Sequence, residues 1–164
     1  MGSKQISVQR FSVTSSKRFE EVVAKLAAGV GHPDMRAMFA KIGAAKTYGE
    51  VEQAIQPGLG PTGLMEFMQF DHGELVRKDR GEKTPRVMRL LIGNPLVMKK
   101  MVEHVPDAGS YAPTTVLVDE RADGVHLSYD TMASFLETYG NAEAMKVAKD
   151  LDAKMEALLT AAAT

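Results

Sequence analysis

Apolar residues recur along this chain with two periods, and the places where the period changes mark its elements. Ile6 and Val8 alternate with polar neighbours, and Phe11 and Val13 resume the alternation after a shift of phase, which predicts a first strand. Ser15 or Ser16 is placed to cap the helix that follows. Phe19, Val22, Val23, Leu26 and Val30 fall on one face of that helix, and Gly29 and Gly31 end it. Pro33 suits the first turn of a second helix, in which Met35, Met38, Phe39 and Ile42 repeat at helical spacing up to Gly43. Thr47 and Glu50 have the spacing of a capping box, in which a hydroxyl and a carboxylate each satisfy a backbone N–H. Tyr48, Val51 and Ile55 then make a short third helix. Pro57-Gly58-Leu59-Gly60-Pro61 predicts a loop.

Residues 64–70 predict a strand with Leu64, Met68 and Phe70 on one side and Met65 and Phe67 on the other. Both sides are largely apolar, which predicts a central place in a sheet. The charged stretch 77–83, with Gly81 inside it, predicts a solvated turn, and residues 87–92 predict another apolar strand. Asn94 and Pro95 open a helix by cap and first-turn proline. Met98, Met101, Val102 and Val105 are its apolar stripe, and Pro106 ends it. Strands over 114–120 and 125–129 are joined through Asp123-Gly124, a strong hairpin signal. Met132, Phe135, Leu136 and Tyr139 make a short helix stopped by Gly140. The last helix carries Met145, Ala148, Leu151, Met155, Leu158 and Leu159 opposite Glu143, Lys146, Lys149, Asp150 and Lys154. This order predicts an α+β fold, with a single mixed, largely antiparallel sheet of about five strands and helices mainly on one face.

Composition narrows the picture. The 164 residues suit a single domain, and the 45% apolar and 25% charged content is that of a globular chain. Twenty basic residues against 21 acidic ones give a net charge of −1, with no basic arm in the sequence, so no nucleic-acid partner is expected. Cysteine is absent, which removes disulfides, a thiol nucleophile and a cysteine zinc site. No apolar signal core opens the chain and no run of apolar residues is long enough for a membrane span, so a cytoplasmic protein without a membrane partner is expected. Eleven methionines against six phenylalanines suit irregular core filling or an adaptable apolar pocket.

The candidate chemistry is sparse. None of His32, His72, His104 and His126 has the spacing of a metal-binding helix pair, so neither a metal nor another cofactor is expected. His72 is the best-placed titratable group. It closes a strand in Phe70-Asp71-His72-Gly73, where loops set reactive groups, and it is expected at the edge of a cavity. A histidine tied to backbone at a turn is the plainer alternative. Asp71 can orient the ring only if the chain turns there. Ser128 lacks a preceding glycine elbow. Gly58, Gly60 and Gly63 lead into a strand, whereas phosphate loops lead into a helix.

Leu90-Leu91-Ile92-Gly93-Asn94-Pro95 and the helix after it are followed by the strand Thr114-Thr115-Val116-Leu117-Val118-Asp119-Glu120 and by Asp123-Gly124-Val125-His126-Leu127-Ser128-Tyr129-Asp130. With Phe70-Asp71-His72 and the opening strand and helix, this resembles the bacterial domain-of-unknown-function family 302. The resemblance implies a compact α+β fold with a sheet backed by helices, a dimer, and no agreed activity. Against it, residues 5–138 read as the family-like core, 32–61 as a helical insertion, and 141–163 as a C-terminal extension.

Three functional readings follow. The first is a binding or sensing module with an apolar pocket drawn from Met65, Met68, Met88, Met98 and Met101, its ligand-binding residues being His72, Asp71, Asn94, Tyr129, Met68 and Met98. The second is an enzyme with His72 as general acid or base and Asp71, Asn94 or Tyr129 positioning the substrate. The third is a non-catalytic assembly protein. A homodimer is expected, with the stripe of the last helix as its interface and packing of that helix on its own domain as the alternative.

Overall fold

The computed structural model describes residues 2–164. Strands β1 (Arg10–Ser15), β2 (Met65–Asp71), β3 (Val87–Gly93), β4 (Thr114–Arg121) and β5 (Gly124–Asp130) form one sheet in the order β1-β5-β4-β3-β2. Every neighbouring pair is antiparallel. The helices are α1 (Phe19–Gly29), α2 (Met35–Ala44), α3 (Tyr48–Ile55), α4 (His72–Arg80), α5 (Pro95–Val102), α6 (Met132–Leu136) and α7 (Ala142–Ala163). The fold is α+β, as the order of periods predicts.

The period of two along the strands sorts the sheet into two faces. Leu90 and Ile92 of β3, Val116 and Val118 of β4, and Leu127 and Tyr129 of β5 are buried on one face. Against them lie Val22 and Leu26 of α1, Met101 of α5, and Ala148, Leu151, Met155 and Leu158 of α7, in one contiguous core. On the other face Ser12, Thr14, Thr115 and Arg121 are exposed. The stripe of α7 is therefore spent inside its own chain, and this corrects the expectation that it forms a dimer interface. Its far end is fastened to β1, where the Ser15 hydroxyl donates to the Ala163 carbonyl at 2.6 Å. A second, smaller cluster joins Met38 of α2, Ile55 of α3, Met65 of β2 and Leu96 of α5.

Several local expectations change. The first strand starts at Arg10, so Ile6 and Val8 precede it. Ser15 is committed to Ala163, and Arg18 takes the cap position of α1, with its backbone N–H donating to the Glu21 carboxylate at 3.3 Å. Pro33 lies before α2, whose cap is Asp34, accepting from the Ala37 N–H at 2.9 Å. Strand β2 is an edge strand, with Met68 52% and Phe70 38% exposed. Its two apolar sides have a different cause from the one expected. Leu64, just before it, enters the main core, Met65 and Phe67 face the second cluster, and a register shift between Glu66 and Met68 turns the rest toward solvent.

The stretch read as a solvated turn begins inside a helix. Asp71 caps α4 by accepting from the Glu74 N–H at 2.9 Å, and Glu74 pairs with Lys78 one turn later at 2.7 Å. Arg77, Lys78 and Arg80 occupy its last turn, where the helix dipole favours cations. The hairpin forms one residue earlier than expected. Arg121 pairs with Gly124 across Ala122 and Asp123, and Gly124 has φ +137°, which suits a residue without Cβ. Gly31 is required for another reason: a Cβ there would meet the Gly58 carbonyl oxygen at 1.9 Å.

Candidate functional site

One apolar cavity of about 250 Å3 opens where five parts of the chain meet. Phe39 of α2 and Phe67 of β2 form one wall, Met98 and Met101 of α5 another, and Ala112 and Pro113 before β4 and Leu151 of α7 a third. Gly93, Asn94 and Pro95 line it where β3 passes into α5. The local sequence explains this corner. Asn94 must cap α5, and its Oδ1 accepts from the Leu96 N–H at 2.8 Å. Its Nδ2 donates to the Gly63 carbonyl at 2.9 Å, tying the start of α5 to the loop before β2. Thr114, at the start of β4, donates its hydroxyl to the Ile92 carbonyl at 2.6 Å.

The two polar side chains of this cavity are thus committed to backbone. Every other lining residue is apolar, a thioether or glycine, and none carries a titratable group. Such a site can enclose hydrocarbon or aromatic surface but has no group of its own to move a proton.

The residues expected at a site are scattered. Asn94 and Met98 line the cavity, and Met101 joins them. His72 is the exposed first residue of α4, and its ring stacks on Phe70 with centroids 6.0 Å apart. It does not line this cavity. Asp71 does not orient it, because that carboxylate accepts from the Glu74 N–H and from Arg77 Nη2 at 2.6 Å. The Arg77 guanidinium holds the Asp71 carboxyl below the usual aspartate range. Met68 is exposed on β2. Met65 belongs to the second cluster, and Met88 lines a separate concavity beside α1.

Tyr129 is a core residue rather than a ligand group. Its hydroxyl donates to Asp152 Oδ1 at 2.5 Å, and burial raises the phenol well above the usual tyrosine range, with Asp152 adding to the effect. Asp152 also accepts from the Met132 N–H at 2.7 Å and the Ala133 N–H at 2.9 Å, so it closes the start of α6 from α7. A signal for Asp152 exists in the sequence. It stands four residues after Ala148, a carboxylate inside an apolar stripe. Phe67, Pro113 and Leu151 had no comparable signal, since nothing local marks them as neighbours.

The profile of the family described as domain of unknown function DUF302 matches residues 40–162, a span that takes in α3 and all of α7 but its last residue. Among solved structures, the uncharacterized conserved protein DUF302 from Bacillus stearothermophilus is similar to this chain with a TM-score of 0.65 and 12% sequence identity, over 93% of this chain and 97% of that one. At that identity the likeness is one of fold. No curated protein matches the sequence.

Proposed function

This chain belongs to the DUF302 family, a domain of unknown function, so its activity has to be read from its own side chains. We propose that it is a cytoplasmic binding or sensing module for a small apolar molecule held between α2, β2, α5 and α7. The observation that carries this reading is the apolar cavity of about 250 Å3 in which both polar side chains are already hydrogen-bonded to backbone. An apolar cavity of about 150 Å3 takes up benzene, so this one, open at its mouth, has room for two fused rings with a further ring at the opening, or for a short chain. Met98 and Met101 add unbranched, polarizable side chains that can repack around an occupant. The acid–base alternative draws no support from the arrangement, because His72 and Asp71 stand elsewhere and Tyr129 is held in the core. No helix among the described residues is long and apolar enough to cross a membrane.

Titration with the neutral fluorescent probe N-phenylnaphthylamine tests the reading. Saturable, blue-shifted emission is expected from the native chain. Met98→Trp fills the cavity and should weaken binding by about tenfold or more, while His72→Ala should leave it within about twofold. Emission that does not saturate, or that Met98→Trp leaves unchanged, would sink the proposal.

A further inference from the structure

We infer that the protein carries a second binding site, for a small ligand with two or more phosphate or carboxylate groups, in the open concavity between the start of α1, the α4–β3 connection and the β4–β5 hairpin. This concavity encloses about 980 Å3 and shares no lining residue with the apolar cavity. Six cations line it: Lys17, Arg18, Arg77, Lys83, Arg86 and Arg121. Two carboxylates, Glu82 and Glu120, line it with them. The lining thus carries more cationic than anionic side chains in a chain whose net charge is −1, and an oxyanion placed there meets more donors than carboxylates.

The disposition of the opposite charges matters more than their number. Arg18 is held by Glu21 at 3.0 Å, Arg77 by Asp71 at 2.6 Å and Arg121 by Asp119 at 2.6 Å, and none of those three carboxylates lines the concavity. A guanidinium anchored in this way is held in place and still has donors left, since it carries five N–H groups. Glu120 is paired with Arg86, which donates to it from Nε at 3.1 Å, from Nη2 at 2.8 Å and from its backbone N–H at 2.9 Å, and which also pairs with Glu20 of α1. Lys17 and Lys83 form no ion pair among the described residues. Two unpaired ammonium groups beside anchored guanidinium forks match a multivalent oxyanion, whose charge several donors can share.

Calorimetric titration of the full chain with tripolyphosphate and, separately, with citrate at low ionic strength tests the site. Saturable binding of at least one probe is expected, and a preference between them assigns phosphate or carboxylate as the ligand group. Lys17→Gln/Lys83→Gln should weaken binding by about tenfold or more. Lys100→Gln/Lys146→Gln, which removes the same charge from exposed positions elsewhere, should change it by less than about twofold. No saturable binding of either probe, or equal loss in both double variants, overturns the inference. N-phenylnaphthylamine binding should be the same in Lys17→Gln/Lys83→Gln as in the native chain, so the two sites stand or fall separately.

Discussion

Asp152 shows how much one side chain can organise. It lies on the buried stripe of α7, and its carboxylate receives the Tyr129 hydroxyl and the backbone N–H groups of Met132 and Ala133. The sheet, α6 and α7 meet in that one group. Asp152→Ala would strand the Tyr129 hydroxyl and the Ala133 N–H and leave the Met132 N–H only its longer bond to the Tyr129 oxygen at 3.2 Å. Each buried unsatisfied donor costs about 1–3 kcal/mol, so a loss of roughly 2 kcal/mol or more is expected. Tyr129→Phe removes only the hydroxyl and should cost about 1 kcal/mol. Urea unfolding of both variants checks the order. Equal losses would mean that Asp152 acts through Tyr129 alone and that its cap on α6 contributes nothing.

Among elements, Arg86 ties three together. From the residue before β3 it reaches Glu120 of β4 and Glu20 of α1, and its guanidinium lies 4.5 Å from the ring centre of Phe19. Its hydrogen bonds hold both glutamates below the usual carboxylate range. The sign follows from linkage. A carboxyl whose pKa is lowered by folding contributes stability above its unfolded value, and that contribution is lost as pH falls through the folded value. Stability should therefore be level through neutral pH and fall below about pH 4.3, the unperturbed glutamate value. Arg86→Met should flatten part of that acid limb and leave the neutral plateau lower. Thermal unfolding from pH 3 to pH 7 measures it. An acid limb identical in the variant would place the pH dependence in other pairs, such as Arg77–Asp71 and Lys99–Glu103.

At the scale of the whole molecule, the interior position of α7 changes where self-association can occur. We propose a homodimer that meets through the edge of β2 beyond Glu66, where its pairing with Gly31 ends, and through α4. Met68, Phe70, Leu75 and Val76 are all exposed there, Leu75 by 72%. An edge strand with apolar side chains in water is a natural surface for pairing with another chain. Light scattering should give twice 17.8 kDa for the native chain and 17.8 kDa for Phe70→Ser/Leu75→Ser. A native mass of 17.8 kDa would end this proposal. Removing residues 141–164 is expected to unfold the chain, since α7 supplies nine of its buried residues.

Features that depend on neighbours along the chain were legible before any folding was considered. The Asp123-Gly124 signal located the hairpin, Asn94-Pro95 opened α5 at the right residue, and the stripes of α1 and α7 emerged with their correct faces. These features need only a period, a cap or a turn residue, and together they carried the α+β class and the family resemblance. Where a second partner took over, the local reading failed. The apolar pattern of β2 indicated burial without saying that two different clusters provide it, and the charges of 72–80 concealed a helix that Asp71 caps. Both candidate sites belong to tertiary structure. Phe39, Phe67, Met98, Pro113 and Leu151 meet only because α2, the edge strand, α5 and α7 converge at one end of the sheet. Lys17, Arg77, Lys83 and Arg121 face one concavity only because the sheet order brings the ends of β1, β3, β4 and β5 together. A chain can write its helices and turns within a few residues, but which distant surfaces touch is set by the collective burial of the core, and a site assembled from those surfaces has no local signature.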